Sequence, residues 1–170
     1  MNTEYKILFD AERCVACHGC VVACRAWREL PTDIFFRRLE TIWQKGEPMP
    51  RLRHASVACQ HCAEPACVEA CPVGAIRKNA DGLVLVDEDS CVGCRACESA
   101  CPFGVPQYPE KSGGNMAKCD LCLGRFDMEK EEPPCVATCP TRALALVRMD
   151  AEEKKRTEKA LLNLLASGTL

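Results

Sequence analysis

Cys14-Val15-Ala16-Cys17-His18-Gly19-Cys20-Val21-Val22-Ala23-Cys24 spaces four cysteines with two, two and three residues between neighbours. A run of that spacing holds an iron–sulfur cluster with its first three thiolates and sends the fourth to another cluster. From Gly19 to Leu30 the chain reads as a helix that must end before Pro31. On it Cys20 and Cys24 stand at i and i+4, on one face and about 6 Å apart along the axis. Two thiolates so placed suit two neighbouring clusters.

The run recurs three times. Cys59, Cys62, Cys67 and Cys71 follow a two, four, three spacing, and the extra residues, Pro65 among them, widen the loop. Cys91, Cys94, Cys97 and Cys101 repeat the two, two, three spacing of the first group. Cys119 and Cys122 are followed after twelve residues by Cys135 and Cys139. Cys71, Cys101 and Cys139 each precede a proline, which fixes the backbone just past the ligand.

Sixteen cysteines in 170 residues admit disulfides, zinc or iron–sulfur chemistry. Disulfides need an oxidising compartment. Residues 1–10 carry no charged region followed by an apolar run, so they do not read as an export signal. Structural zinc pairs two Cys-x2-Cys units around one tetrahedron, a pattern that fits only the fourth group. Four cysteines packed into eleven or thirteen residues suit the broader shape of a cluster, so iron–sulfur is the expected chemistry. Sixteen thiols divide into four complete sets, and no Trp or Asp replaces a ligand, so four [4Fe–4S] centres are expected without a three-iron variant.

Aromatic residues are few, so a large conventional core is not expected and the clusters themselves should staple the fold. The formal charge is −2 with every cysteine neutral. Four oxidised clusters at about −2 each would take the loaded chain to roughly −10. The 22 Lys and Arg are scattered, without a basic block, and read as compensation for anionic clusters and not as a nucleic-acid footprint. No apolar run has the length of a membrane span.

Between the groups, residues 5–9 read as a strand, and 33–58 as a strand pair broken by Gly46, Pro48 and Pro50. That insertion is either a docking surface or a cap over a thin core. Two β-prone runs flank Asp81-Gly82 as a hairpin. Residues 102–118 read as loop, Pro133-Pro134 as the start of a short helix, and 141–147 as a closing strand. From Asp150 a helix runs to Gly168, with Leu161, Leu162, Leu164 and Leu165 as an apolar stripe expected to pack on a partner or else on this chain's own body.

With these motifs in view, residues 5–148 resemble the four-cluster ferredoxin-type electron-transfer subunits of molybdenum and tungsten oxidoreductases. The resemblance rests on the four cysteine groups, including Met116-Ala-Lys-Cys119-Asp-Leu-Cys122 and Cys139-Pro-Thr-Arg-Ala-Leu144. It covers the iron–sulfur subunits of dimethyl sulfoxide reductase, polysulfide reductase and formate dehydrogenase types, and extends to small ferredoxin-like subunits of tungsten aldehyde oxidoreductases. It implies an α+β fold of two pseudo-symmetric ferredoxin-like modules of short helices and hairpins, with a C-terminal helix. The core would be 1–149, with module one from 1–32 and 103–149, module two from 51–102 and an insertion at 33–50; 150–170 would be a tail.

The resemblance also implies which cysteines share a cluster. Cluster A would take Cys14, Cys17, Cys20 and Cys139, and cluster B Cys24, Cys119, Cys122 and Cys135. Cluster C would take Cys59, Cys62, Cys67 and Cys101, and cluster D Cys71, Cys91, Cys94 and Cys97. No catalytic residue and no further cofactor site is expected. The implied partners are a Mo- or W-pterin catalytic subunit, then a flavoprotein or quinone-reactive subunit, or other copies of this chain in a longer relay. A free polyferredoxin, or one serving hydrogenase or carbon monoxide dehydrogenase, is the alternative. The expected location is cytoplasmic, or else membrane-associated or co-exported with a signal-bearing partner.

Outside the ligands, Arg25 follows Cys24 where the other crossing cysteines have proline, and it reads as a surface arginine or as a donor to a cluster sulfur. His18 and His61 lie between ligand cysteines and should sit beside the clusters or face solvent. His54 lies in no motif. Trp27 and Trp43 read as packing residues.

Overall fold

A computed structural model describes residues 3–44, 49–109 and 114–168. Gly46 and Pro48, the expected breakers of the insertion, lie outside the described residues. The elements run β1 (Glu4–Phe9), α1 (Gly19–Arg28), β2 (Arg37–Gln44), β3 (Arg51–Ala58), α2 (Ala66–Glu69), β4 (Ile76–Lys78), β5 (Val84–Val86), α3 (Ala96–Ala100), α4 (Pro134–Ala137), β6 (Leu144–Met149) and α5 (Ala151–Ala166). The architecture is α+β and ferredoxin-like. Three antiparallel strand pairs carry it: β1 with β6, β2 with β3 and β4 with β5.

The chain's ends meet in β1 and β6, paired from Glu4↔Met149 to Phe9↔Leu144, and α1 packs on α4 beside them. The central stretch repeats the plan, with the β4–β5 hairpin beside packed helices α2 and α3. Its turn is set by Asn79, whose Oδ1 accepts from the amides of Asp81 and Leu83 at 3.0 and 2.8 Å. Gly82 there has φ +76, and a Cβ would overlap the Glu4 side chain, so only glycine fits.

The same backbone device recurs in all four Cys-x-x-Cys loops. The residue before the second cysteine is left-handed each time: Ala16 at φ 54, His61 at 45, Gly93 at 64 and Leu121 at 59. A second device follows each Cys-Pro. The amides of Gly74, Gly104 and Arg142 donate to the carbonyls of Cys71, Cys101 and Cys139 at 3.3, 3.1 and 3.2 Å, and all three donors have positive φ. Cys24 lacks this turn because α1 continues through it.

The β2–β3 hairpin pairs over its whole length, from Arg37↔Ala58 to Gln44↔Arg51. Its period of two separates two faces. One carries Ile42, Ala55 and Val57, all buried with Phe103, Val105 and Leu161. The other carries Arg37 and Ser56, buried at its base, and Trp43 opposite Leu52, both exposed at its tip. The insertion is therefore part of the core at its base.

The C-terminal helix resolves one expectation: its apolar stripe packs on this chain. Leu161 is buried against the hairpin, with Leu162, Leu164 and Leu165 beside it, and α5 contacts β1, β2 and β3. Asp150 starts the helix with a capping box, its Oδ1 accepting from the Glu153 amide at 2.9 Å, worth about 1 kcal/mol. Lys154 and Lys6 lie fully buried beneath it, paired with Glu4 and Glu158. A helix that must bury an ammonium ion to dock gains register from it, since a slip of one residue would strand the charge. Trp27 and Trp43 are each half-exposed, outside the core.

Candidate metal centres

The left-handed residue in each Cys-x-x-Cys loop turns the backbone sharply between ligands, and the short helix that follows carries the third thiol. In the first group, α1 starts at Gly19 after His18 at φ 60. In the third, α3 starts at Ala96 after Arg95 at φ 63. Cys20 and Cys97 thus occupy equivalent first-turn positions on the two helices.

The structure brings the cysteines together across groups. Cys14, Cys17 and Cys20 line one cavity with Cys139, the far end of the fourth group. Cys91, Cys94 and Cys97 line a second cavity with Cys71. Cys24, Cys119 and Cys135 are buried in one apolar cluster, and Cys122 lies near enough to Cys135 for their charges to interact. Cys59, Cys62 and Cys101 border another apolar cluster, and Cys67 interacts with Cys59 and Cys101. Within the fourth group, Cys139 lines the first cavity while Cys135 is buried with Cys24 and Cys119.

Thiols of neighbouring sets also lie within electrostatic reach of one another. Cys20 feels Cys135, Cys119 feels Cys59, and Cys67 feels Cys97. Cys17 and Cys94 are exposed, Cys24, Cys119, Cys122 and Cys135 are buried, and Cys59, Cys62, Cys67 and Cys101 are partly buried.

The thiols fall into two chemical kinds. Burial, helped by neighbouring thiolates and by Glu158 at Cys62 and Asp120 at Cys122, pushes Cys24 and Cys62 up to about 12 and Cys67 and Cys122 up to about 11. Such groups stay protonated unless a metal takes the proton's place. Cys71 and Cys139 go the other way. Burial raises them, but a nest of backbone amides outweighs it, from Val73 to Ile76 around Cys71 and from Thr141, Ala143 and Leu144 around Cys139. The Ala143 amide donates to Cys139 Sγ at 3.2 Å, and the Met116 amide to Cys91 Sγ at 3.4 Å. Amides that stabilise thiolate sulfur fit an anionic cluster, and so does the donor set of four thiols in each place.

Cationic side chains face the thiols from inside. Arg37 is 4% exposed, interacts with Cys20, Cys24, Cys119 and Cys135, and donates from Nη1 to Ser56 Oγ at 2.9 Å. Lys118 is buried, bonded to the carbonyls of Val84 and Cys119, and has no carboxylate in ion-pair reach among the described residues. Arg28 faces Cys24 and Cys122 but is ion-paired to Asp120 at 2.8 Å. Arg25, in contrast, donates to the Pro31 carbonyl at 3.1 Å and stacks 4.3 Å over Phe35, which ties down the end of α1.

His61 is buried, 1% exposed, and its Nδ1 accepts from the Val84 amide at 2.9 Å. Burial and the charges of Lys118, Lys154 and Lys6 depress its pKa, so it is neutral with its proton on Nε2. That Nε2 is buried without a partner among the described residues. His18 is exposed beside Cys17, and His54 shares a 3.3 Å contact with Thr41 on the hairpin.

Sequence reasoning did not single out Arg37. The signal was present: strand alternation through Leu39 places Arg37 in phase with an inward face, where an arginine needs an anion.

Two ferredoxin-like repeats that converge on four sets of four thiols define a ferredoxin-type iron–sulfur protein. Family models agree: a 4Fe-4S dicluster domain matches residues 51–149, and a 4Fe-4S binding domain matches 11–27. The B subunit of anaerobic dimethyl sulfoxide reductase from Escherichia coli is 40% identical over 168 residues, covering 94% of this chain and 81% of that protein. The thiosulfate reductase electron transfer subunit of Salmonella typhi is 35% identical, over 92% and 82%. The formate dehydrogenase iron–sulfur subunit of Wolinella succinogenes is 37% identical, over 85% and 82%. The protein belongs to this family of 4Fe-4S dicluster proteins, and its cofactors are four [4Fe–4S] clusters. Each supplies one-electron chemistry when bound, while the protein sets spacing, burial and hydrogen bonding.

Proposed function

We propose that this chain is the electron-transfer subunit of a pterin-dependent molybdenum or tungsten oxidoreductase, passing single electrons between the catalytic subunit and a second redox partner. The observation that carries this reading is the serial electrostatic proximity of the four thiol sets through Cys20 and Cys135, Cys119 and Cys59, and Cys67 and Cys97. A row of sites with an exposed thiol, Cys17 or Cys94, at each end is what a relay between two partners requires. We assign cluster A to Cys14, Cys17, Cys20 and Cys139; B to Cys24, Cys119, Cys122 and Cys135; C to Cys59, Cys62, Cys67 and Cys101; and D to Cys71, Cys91, Cys94 and Cys97.

The names of the relatives support a catalytic partner of the reductase or dehydrogenase type. Exposed Val15 and Val22 near the A end, and Val73 and Val92 near the D end, give both termini apolar surface for docking. We assign the second partner to a flavoprotein, a quinone-reactive subunit or a further copy of this chain, and the location to the cytoplasm. No described helix is long and apolar enough to cross a membrane.

Purification from the native host with metal analysis tests the reading. Iron and acid-labile sulfide near sixteen each, with molybdenum or tungsten in the co-purifying subunit, are expected. Nickel in the partner, or a stable chain that purifies alone, would assign it instead to hydrogenase or carbon monoxide dehydrogenase service or to a free polyferredoxin.

A further inference from the structure

Arg37 lies at the base of the β2–β3 hairpin, 4% exposed, with no carboxylate in ion-pair reach among the described residues. A buried guanidinium left without an anion costs several kcal/mol, so its countercharge must come from elsewhere. The sulfurs within its electrostatic reach are Cys20 of the first set and Cys24, Cys119 and Cys135 of the second, and these last three are buried in one cluster with Ala58, the cross-strand partner of Arg37. Ser56, 3% exposed on the same hairpin face, extends the contact. Its Oγ accepts from Arg37 Nη1 at 2.9 Å and stands 3.6 Å from Cys20 Sγ. With Arg37 occupying one lone pair, the hydroxyl hydrogen is free to point at the sulfur.

Reduction adds one negative charge to a cluster. A fixed positive charge in a low-dielectric interior lowers the energy of the added electron, and a hydrogen bond to a ligand sulfur acts in the same direction. Arg28 cannot do the same, since Asp120 cancels its charge at 2.8 Å.

We propose that Arg37 and Ser56 are a positioning pair that raises the reduction potentials of clusters A and B. Arg37 acts through its uncompensated charge between them, and Ser56 through its hydrogen bond to Cys20. This rests on the cysteine assignment given above.

The test is an EPR-monitored redox titration of the iron-loaded chain, with Cys14→Ser and Cys122→Ser variants marking the A and B signals, and iron and sulfide counted in each sample. In Arg37→Gln two potentials should fall by at least a tenfold change in the reduction equilibrium, ~59 mV for one electron, while C and D hold. Arg37→Lys should keep all four near their original values, and Ser56→Ala should lower A while C and D hold. Four unmoved potentials in loaded Arg37→Gln, an equal fall of all four, or an Arg37→Lys variant that behaves like Arg37→Gln would overturn the proposal. Where Arg37→Gln does not load, Ser56→Ala decides by whether A alone of A, C and D moves. If Cys14→Ser and Cys139→Ser, each with Arg37 and Ser56 intact, mark different signals, the assignment is overturned instead.

Discussion

Lys154 Nζ, in the first turns of the C-terminal helix, donates to Glu4 Oε2 at 2.8 Å, joining two residues 150 positions apart at the edge of the core. Glu4 Oε1 accepts from Lys78 Nζ at 2.8 Å, and Lys78 also donates to the Ala63 carbonyl at 2.9 Å, just past Cys62. Glu158, one turn on from Lys154, accepts from the Ala63 amide at 3.1 Å. The tail is thus tied both to the first strand and to the second cysteine loop.

Removing Lys154 leaves Glu4 partly unpaired and empties a fully buried position. Lys154→Ala should cost about 3 kcal/mol, which for a chain of this size lowers the midpoint by about 6–12 °C. Thermal bleaching of the cluster absorbance reads it, and an unchanged midpoint would mean the helix is held by its leucines alone.

The same carboxylate sets a pH dependence. Burial raises the Glu4 pKa, but its bonds to Lys154 and Lys78 outweigh this and hold it below its ordinary 4.5. A depressed carboxyl contributes stability that is present above the unfolded pKa and is lost as pH falls through the folded one. Glu4→Gln should therefore be less stable than wild type at about pH 7, with the gap closing as pH falls below 4.5. Bleaching half-lives across roughly pH 7 to 4 measure it, and a gap that stays constant would remove Glu4 from the account.

Within the fourth group, adjacent ligands should damage different centres. Cys139→Ser should perturb the same EPR signal as Cys14→Ser, and Cys135→Ser the same signal as Cys122→Ser. If Cys135→Ser and Cys139→Ser affect one common signal, the fourth group closes on itself.

The left-handed loop positions predict opposite effects at equivalent sites. Gly93, at φ 64, would bring a Cβ within 2.8 Å of the Gly114 carbonyl oxygen. Gly93→Ala should then cost more than the roughly 1–2 kcal/mol of left-handed strain alone. Ala16 bears that strain already at φ 54, so Ala16→Gly should stabilise the fold by up to about 1 kcal/mol. Chemical denaturation of the loaded proteins compares the two, and matching signs would refute the equivalence of the loops.

Much of this was legible in the amino-acid order because the signals are local. Spacing within eleven residues dictates that Cys14 to Cys24 sit on one loop and one helix. Asp81-Gly82 marks a hairpin, and Pro133-Pro134 starts α4 where Pro134 occupies the first turn. The α5 leucine stripe was equally visible, but periodicity states only that a face is apolar. It does not say what covers it.

What the sequence determined by itself is the ligand inventory and its chemistry: sixteen thiols in four groups, three of them ending in Cys-Pro. These follow from short-range sterics and spacing, which act within a few residues. Only the tertiary structure decided that the tail docks on its own hairpin, that Lys6 and Lys154 are buried as ions, and that Arg37 stands between Cys20 and Cys135. Those outcomes depend on charges desolvated by segments far apart in the chain, and the energy of a buried charge is set by whatever anion the fold brings to it.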